Sequence, residues 1–352
     1  MTLHLGQGHG LELEYMLVDA RTLDVRPIAE RVLFAASGNE SGDHDNGRIS
    51  WSNELVRHVI ELKTSAPERS FAGLAAEFQA NVRTLAQLLR PHGARLLPTG
   101  MHPWMDPRTE TELWPFACSE VYATYDRLFD CRRHGWANLQ SVHLNLSFDG
   151  DGEFARLHAA LRLVLPLVPA LAASTPVMEG RVTGLVDQRL EVYRTNAVRV
   201  PRMSGEVIPE PCFDEASYRR EILAPLQADV AAIEPEGVLE GEWLNARGAI
   251  ARFDRGAIEL RLIDSQECPR ADLAVAWACT CVVRALVEER DLPHAAQRAF
   301  ASAPLAELLR HAIAAGPAAR VADGALARAL GWRGAALPSL GELWADLAER
   351  RV

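Results

Sequence analysis

The stretch AIELRLID, residues 257–264, alternates aliphatic side chains with charged ones. Side chains of a β-strand alternate between two faces, so a strand here would place Glu259 and Arg261 on one face and the aliphatic residues on the other. The aliphatic face suits a hydrophobic core. The charged face carries a carboxylate beside a guanidinium, and these groups bind metal ions and phosphate, respectively.

The same alternation recurs in two other stretches of the chain. Glu12 and Glu14 alternate with leucines, and His143 and Asn145 alternate with aliphatic residues. Three strands would therefore each present a pair of polar groups on one face. The pattern predicts a single polar cavity floored by a sheet.

Two further glutamates lie between these strands in the chain. Residues 59–64 (VIELKT) are typical of a strand that carries Glu61, and Glu54 falls in a turn or short helix before it. For either glutamate taken alone, a solvated surface charge or a salt bridge is the simpler interpretation. Only the threefold pairing of polar residues favours a joint site.

A cavity lined by these residues would be rich in oxygen donors. Oxygen donors suit Mg²⁺ or Mn²⁺, whereas a dedicated zinc site would use more histidine or cysteine. Clustered carboxylates repel one another unless cations lie between them, and Arg261 could then hold a phosphoryl oxygen. This favours nucleotide-dependent phosphoryl transfer without a P-loop, because no GxxxxGK[ST] motif is present. The carboxylates are Glu12, Glu14, Glu54, Glu61 and Glu259.

The composition and net charge of the chain indicate which classes of protein it can belong to. The chain has 352 residues, of which 48% are hydrophobic and 24% charged, and its formal net charge is -10. This balance is typical of globular proteins and argues against nucleic-acid binding through a broad basic face. Residues 1–10 lack the basic and apolar regions of a signal peptide, and the most apolar segment, 271–287, contains Asp272 and Arg284. We therefore expect a cytoplasmic protein with no membrane span.

Periodicity predicts a mixed order of strands and helices, followed by helices alone. The helix at 71–89 is given Ser70 as its N-cap, and the helix at 154–173 is expected to kink near Pro166 and Pro169. This order predicts an α+β fold with a mainly antiparallel sheet and flanking helices, forming a single domain over 1–352. Residues 291–352 would be a helical C-terminal extension. The other predicted strands cover 11–18, 94–98, 142–146, 249–253 and 257–263, and the other helices cover 119–133, 217–233, 271–290, 294–314, 318–330 and 339–350.

Residues 181–212 show no clear periodicity and contain five arginines. An active-site loop that receives anions is one interpretation, and exposed solubilising arginines are the other. The sequence leaves this choice open. The arginines are Arg181, Arg189, Arg194, Arg199 and Arg202.

Seven blocks of sequence, taken together and in order, resemble the carboxylate–amine ligases of the glutamate–cysteine ligase type 2 family. Each block is weak alone, but the ordered set covers about residues 8–290 and is specific. The blocks are 10–19, Glu54 with Glu61, 99–104 (TGMHPW), 142–145, 172–180, 193–196 (YRTN) and 258–264.

The resemblance implies a catalytic domain with a curved, mainly antiparallel sheet that forms a funnel like that of glutamine synthetase and the guanido kinases, holding ATP and Mg²⁺, or alternatively Mn²⁺. It implies that ATP phosphorylates the side-chain carboxylate of glutamate and that an amine then displaces the phosphate to form an amide. Asn145 and Arg194 would approach the amino acid or the phosphates, and Arg261 would stabilise the transferring phosphoryl group. Arg252, which a predicted hairpin places on the strand next to Arg261, is expected to bind the nucleotide. By the same resemblance, the metal ligands would be Glu12, Glu14, Glu54, Glu61, His143 and Glu259.

The segment 141–145 (SVHLN) is closer to the His-x-Asn of true glutamate–cysteine ligases than to the HVHVG of many uncharacterised bacterial members. The leading hypothesis is thus a ligase that joins glutamate, or a similar amino acid, to an amine such as cysteine. A non-catalytic binding relative and a metal-dependent amide hydrolase are the alternatives. Its partners would be small-molecule substrates rather than nucleic acid or membrane, and a homo-oligomer is left open.

Overall fold

A computed structural model of the chain describes residues 3–40 and 42–352, without the side chain of Glu242. Met1, Thr2 and Ser41 lie outside this description. Within the described ranges the main sheet has eight strands and a separate ribbon has two. The strands are β1 (His9–Asp19), β2 (Asp43–His44), β3 (Ile49–Asn53), β4 (Val59–Thr64), β5 (Ala94–Leu97), β6 (Ser141–Ser147), β7 (Val177–Met178), β8 (Arg181–Val182), β9 (Ala249–Arg252) and β10 (Ala257–Asp264).

The main sheet runs in the order β2-β3-β4-β1-β6-β10-β9, with β5 also paired to β1, and its strand pairs are antiparallel. The ribbon consists of β7 and β8. The α+β fold with an antiparallel sheet, predicted from the order of elements, is confirmed. β1 is the central strand because it pairs with β4, β5 and β6.

Strand register places the polar residues on one face. Glu12 lies opposite His143, Glu14 lies opposite Glu61, and Glu259 lies opposite Asn145. Residues directly opposite each other across two strands share a face of the sheet. The i, i+2 pairs of separate strands are thereby joined into one polar surface.

Most helices overlap the predicted ranges, but several differ. The predicted helix at 294–314 is interrupted between Arg298 and Ser302, and the helix predicted to begin at residue 318 begins at Gly324. Four α-helices of the described ranges were not predicted: Ala29–Ser37, Pro107–Glu110, His134–Ala137 and Gln188–Tyr193. The second helix begins at Leu74, and its N-cap is Gly73 in the left-handed conformation (φ 78°) rather than Ser70, whose hydroxyl accepts a hydrogen bond from the Ala72 amide. The helices are α1 (Ala29–Ser37), α2 (Leu74–Leu89), α3 (Pro107–Glu110), α4 (Ser119–Phe129), α5 (His134–Ala137), α6 (Gly150–Val164), α7 (Val168–Ala172), α8 (Gln188–Tyr193), α9 (Glu215–Tyr218), α10 (Ala224–Ala231), α11 (Pro269–Val287), α12 (His294–Arg298), α13 (Ser302–Ala315), α14 (Gly324–Ala329) and α15 (Leu340–Arg351).

The helices α2, α6 and α11 share the hydrophobic core with the apolar face of the sheet. Leu13, Trp51 and Leu260 are buried there, and the core continues into α13 and α15. The Trp344 indole of α15 donates a hydrogen bond to the Leu167 carbonyl (2.8 Å), which ties the C-terminal helices to this layer. The division into a single domain with an extension at 291–352 stays a prediction.

The helical stretch Gly150–Ala172 breaks at Leu165–Leu167, close to the predicted kink, because Pro166 lacks the amide hydrogen that an α-helix requires. By length and composition this stretch could cross a membrane, but most of it is buried inside the protein. The predicted helix at 271–290 is also a core helix, since most residues of α11 are buried. Both apolar segments, Gly150–Ala172 and α11, are therefore part of the hydrophobic core.

The polar face is covered by a second layer rather than by open solvent. α4 and α10 form a separate apolar cluster with the loop that precedes β9. The segment 181–212 is more ordered than predicted, because it contains β8, α8 and a 3₁₀ turn at Pro201–Met203. The space between this layer and the sheet is the site described next.

Candidate active site

A cavity of about 1140 Å³ lies between the polar face of the sheet and the layer that contains α4 and α8. Nine of the ten side chains that sequence reasoning assigned to the site line this cavity, and Arg194 does not. The nine are Glu12, Glu14, Glu54, Glu61, His143, Asn145, Arg252, Glu259 and Arg261.

Two groups of ligand atoms converge on His143. Glu12, His143 and Glu259 form the first group, and Glu14, Glu61 and His143 form the second, with the ligand atoms of each group within 4.8 Å of one another. Two groups that share one imidazole suit a pair of neighbouring cations. Glu54 also lines the cavity but belongs to neither group.

Hydrogen bonds hold these side chains in position. The Glu12 carboxylate contacts His143 Nδ1 (2.9 Å) and accepts from the Asn145 amide (3.0 Å). Glu14 accepts from both the amide (2.7 Å) and the hydroxyl (3.0 Å) of Ser141. The Ser141 hydroxyl also contacts His143 Nε2 (2.8 Å), so both ring nitrogens have a partner. Such partners fix the orientation of metal-binding side chains.

Burial and neighbouring charges shift the pKa values of the clustered side chains. Burial raises the pKa of Glu54 and of Glu61, and neighbouring carboxylates raise both further. Burial also raises the pKa of Glu12, but the hydrogen bond and charge of His143 outweigh it and lower that pKa to about 2. Burial and Arg261 lower the pKa of His143, but Glu12 and Glu14 outweigh them and hold it above its usual value.

Two arginines flank Glu259. The hairpin of β9 and β10 brings Arg252 Nε within 3.0 Å of one Glu259 oxygen, and Arg261 Nε lies 3.0 Å from the other. Burial raises the pKa of Glu259, but the charges of Arg261, His143 and Arg252 together outweigh it and lower that pKa. Glu259 therefore lies between the cation ligands and the cationic side chains that could meet phosphate.

Lys63 is a site residue that the sequence interpretation missed. Its ammonium lies 3.0 Å from a Glu61 carboxylate oxygen and donates to the Ser52 hydroxyl (2.8 Å). The signal was present, because Lys63 follows Glu61 at i+2 on a strand, the same spacing that drew attention to Glu259 and Arg261.

The arginines of 181–212 separate into different environments. Arg194 forms an ion pair with Glu191 (2.6 Å) within its own helix, and Arg202 pairs on the surface with Asp229 (2.7 Å). The structure thus does not bring Arg194 to the cavity, contrary to the expectation. Arg189 lines it instead.

The donor set fits hard divalent cations. The two groups offer carboxylate oxygens and one imidazole nitrogen, and within the described residues no cysteine belongs to either group. Mg²⁺ and Mn²⁺ prefer such ligands, whereas structural zinc sites prefer cysteine and histidine. The geometry therefore suits the cations that accompany nucleotide phosphates.

The fold matches solved structures of glutamine-synthetase-like ligases. A bifunctional glutathione synthetase from Pasteurella multocida matches with a TM-score of 0.58 at 14% identity, over 98% of this chain and 47% of that protein. A glutamate–cysteine ligase from Francisella tularensis, solved in complex with AMP, matches with a TM-score of 0.55 at 13% identity, over 99% of this chain and 78% of that one. At these identities the likeness concerns the fold.

The family follows from the sequence comparison. The model of glutamate–cysteine ligase family 2 matches residues 9–339, and the chain belongs to this family. The resemblance recognised in the sequence blocks is thus confirmed. Family membership supports a carboxylate–amine ligase of the glutamate–cysteine ligase type.

Individual relatives cover about four fifths of the chain. A protein of Pseudomonas aeruginosa, provisionally named glutamate–cysteine ligase 2, is 32% identical over 81% of this chain and 67% of its own length. An uncharacterised protein of Archaeoglobus fulgidus is 35% identical over 80% of this chain and 75% of its own.

Proposed function

We propose that the chain is an ATP- and Mg²⁺-dependent ligase that joins the side-chain carboxylate of glutamate, or of a similar amino acid, to an amine such as cysteine. The observation that carries this proposal is the pair of ligand groups that share His143 beside Arg261. The cavity of about 1140 Å³ exceeds the usual volume for one small ligand, so it has room for a nucleotide and an amino acid.

Cations would be held by Glu12 and Glu259 on one side of His143 and by Glu14 and Glu61 on the other. Mg²⁺, when bound there, would neutralise the phosphates of ATP and orient them. Glu54, which lines the same cavity, would offer a further carboxylate oxygen to these cations. Support for a nucleotide also comes from the Francisella tularensis protein, which has AMP bound.

In the first step an oxygen of the acid's carboxylate forms a bond to the γ-phosphorus of ATP. The bond from that phosphorus to the β,γ-bridging oxygen breaks, giving an acyl phosphate and ADP. Arg261 and Arg252, which line the cavity beside the proposed cation ligands, would stabilise the negative charge that develops on the transferring group, and Lys63 offers a further ammonium. Their anchoring by Glu259 and Glu61 would hold the donors ready before the reaction.

In the second step the nitrogen of the amine attacks the acyl carbon, and phosphate leaves with the electrons of the carbon–oxygen bond. The nitrogen then loses a proton, and the amide is complete. Tyr122, Tyr125 and Trp243 line the cavity above the sheet. These rings would limit the access of water to the acyl phosphate, which water would otherwise hydrolyse.

The direct test is release of ADP from Mg-ATP with L-glutamate, alone and with a panel of amines headed by cysteine. The Glu259→Gln protein is the blank, because it keeps the shape of the side chain and removes the charge that both arginines contact. We expect amine-stimulated ADP release and an amide product of matching amount.

Other outcomes separate the alternatives. ADP at the level of the blank with every acid and amine would overturn the ligase proposal. Amide hydrolysis without a nucleotide would identify a metal-dependent hydrolase, and nucleotide binding without turnover would identify a binding relative. Cytoplasmic location, small-molecule partners and a homo-oligomeric state remain predictions.

A further inference from the structure

Arg189 is a buried cation whose hydrogen bonds are incomplete. Its side chain is 2% exposed, and its Nε donates to the buried carboxylate of Asp264. Its Nη2 is also buried and has no hydrogen-bond partner among the described residues. An unmet donor on a buried charge is costly, so its retention points to a partner that arrives with a ligand.

The position of Arg189 is tightly fixed. Its carboxylate partner, Asp264, accepts further hydrogen bonds from the Ser174 amide (2.9 Å) and the Thr175 hydroxyl (3.1 Å). The Arg189 amide donates to that same hydroxyl (3.1 Å). A Cβ on Gly100 would lie 2.8 Å from the Asp264 carboxyl carbon, so only glycine leaves room there. Such packing orients the guanidinium before any ligand binds.

A bulge in β10 brings Asp264 to the side of the sheet on which Arg189 lies. Strict alternation would place Asp264 on the core face with Leu260 and Leu262. The register shifts between Leu260 and Ile263, so Ile263 joins the core and Asp264 lies opposite Ser141 on the polar face. The bulge thus carries the carboxylate that holds Arg189 to the side of the sheet where the cavity lies.

Arg189 also has the right location for a substrate contact. It lines the same cavity as the carboxylate cluster, and the charge of Glu14 acts on it. Asp187 caps the start of α8 by accepting from the Leu190 amide (2.9 Å), which sets Arg189 in the first turn of that helix. The guanidinium is therefore a fixed cation beside the proposed reaction centre.

We propose that Arg189 anchors a second, non-reacting carboxylate of a substrate, so that the site selects substrates that carry one. This inference rests on the proposed ligase function and identifies the class of its substrates. A guanidinium binds a carboxylate through two parallel hydrogen bonds, and the Asp264 contact leaves donors of Arg189 available for this purpose. The role expected for Arg194 falls instead to an arginine five residues earlier in the chain.

Two sources could supply this carboxylate: the α-carboxylate of the acid or the carboxylate of an amino-acid acceptor. The first predicts that glutamate is preferred over 4-aminobutyrate, which lacks the α-carboxylate. The second predicts that cysteine is preferred over cysteamine, which lacks the acceptor's carboxylate. Measuring both pairs under the same conditions distinguishes the two.

The test compares the wild-type protein with Arg189→Lys, measuring KM and kcat for each substrate pair. Lysine keeps a charge for Asp264 but loses the fork of donors. For one of the two pairs, the ratio of kcat/KM for the carboxylate-bearing substrate to kcat/KM for its analogue should be at least about tenfold lower in Arg189→Lys than in the wild type. The fall should come from a higher KM for the carboxylate-bearing substrate, with little change in the kinetics of the analogue. Equal preference ratios in the two proteins for both pairs would overturn the inference.

Arg162→Lys is the matched control. Arg162 is equally buried, also has an unpartnered Nη, and donates to the Pro209 carbonyl (2.9 Å), but it does not line the cavity. It should lose stability without changing either preference ratio. If Arg189→Lys does not fold, the wild-type protein alone still tests the inference. A wild-type protein that shows no preference within either substrate pair would exclude Arg189 as a carboxylate anchor.

Calorimetric binding of glutamate and of cysteine, without turnover, separates this inference from the ligase proposal. Binding that weakens in Arg189→Lys while no acid or amine gives ADP would leave the anchor standing and overturn the ligase. ADP release, together with unchanged binding and unchanged preferences in Arg189→Lys, would support the ligase and overturn the carboxylate anchor.

Discussion

Leu13 and Glu14 are neighbours on β1 and are both buried, at 1% and 8% exposed, but they lie on opposite faces of the main sheet. Leu13 packs in the core with Leu260, and Glu14 lies opposite Glu61 in the carboxylate cluster. Burial on the first face removes apolar surface from water, whereas burial on the second strengthens the electrostatic interactions of charged groups. The comparison indicates that stability and chemistry are divided between the faces of one sheet.

Two adjacent residues of β10, one on each face of the sheet, test this division most directly. Glu259→Gln should lower ADP release more than about 100-fold, because even indirect partners of metal ligands cost 10–100-fold. Leu260→Ala should instead lower the free energy of unfolding by about 2–5 kcal/mol, because it leaves a cavity in the core. Denaturant unfolding and steady-state kinetics on both proteins measure the two effects. Wild-type turnover in Glu259→Gln, or an inactive folded fraction in Leu260→Ala, would contradict the division.

Arginines on opposite sides of the sheet give the next comparison. Arg261→Ala should lower kcat by about 10²–10³-fold, as removal of a preorganised charge-stabilising donor does elsewhere. Arg284 on α11 lies over the Trp277 ring, 5.4 Å from its centroid, and Arg284→Ala should leave kcat unchanged. Kinetics at saturating substrate check both. A similar fall in the two variants would indicate a general structural effect rather than a role at the site.

Added cations should stabilise the polar face selectively. Mg²⁺ or Mn²⁺ without nucleotide should raise the free energy of unfolding by about 2.7 kcal/mol at one hundred times its dissociation constant. Glu61→Gln should reduce this gain, whereas Glu307→Gln, at an exposed surface pair with Arg310, should keep it. Thermal unfolding with titrated metal is the measurement. A wild-type protein that no divalent cation stabilises would remove the metal assignments.

Asp272 is the acidic exception on the apolar side of the sheet. Burial raises its pKa from 3.8 to about 7, against the hydrogen bond that it accepts from the Gln266 amide. The unfolded chain therefore loses this proton at lower pH than the folded protein does, so stability should fall as pH rises from about 4 towards 7. Relative to the Asp272→Asn protein, the free energy of unfolding of the wild type should fall by up to about 1.4 kcal/mol for each unit by which the pH rises in this range.

Denaturant unfolding of both proteins at pH 5, 6 and 7 measures this difference. An unchanged gap between them across the series would show that Asp272 ionises normally in the core. At each pH the Asp272→Asn substitution should leave the preference between substrates unaffected, because Asp272 does not line the cavity.

Local patterns were sufficient where each strand keeps its alternation. Glu12 and Glu14, like Glu259 and Arg261, were placed on one face by period two alone, and the structure agrees. The helix α1 was missed because it has only nine residues and is followed by a polar, glycine-rich segment. Lys63 was missed although it obeys the same alternation as the residues that were found.

The arginines show where local patterns fail. Nothing in residues 181–212 distinguishes Arg189 from Arg194, because their difference lies in their partners. Glu191 lies within the helix of Arg194, whereas Asp264 reaches Arg189 from a strand 75 residues away. A guanidinium is directed by the carboxylate that it contacts, and that contact exists only in the folded chain.

The family, the strand pairs of polar residues and the chemical character of the cavity follow from the amino-acid sequence, because alternation and residue type are local properties. Which residues meet depends on the folded chain. Antiparallel register joined four strands, β1, β4, β6 and β10, into two ligand groups around His143, and a bulge of one residue moved Asp264 to the polar face. Period two predicts the face of a side chain only until the register changes, and pairing with the neighbouring strand sets that change.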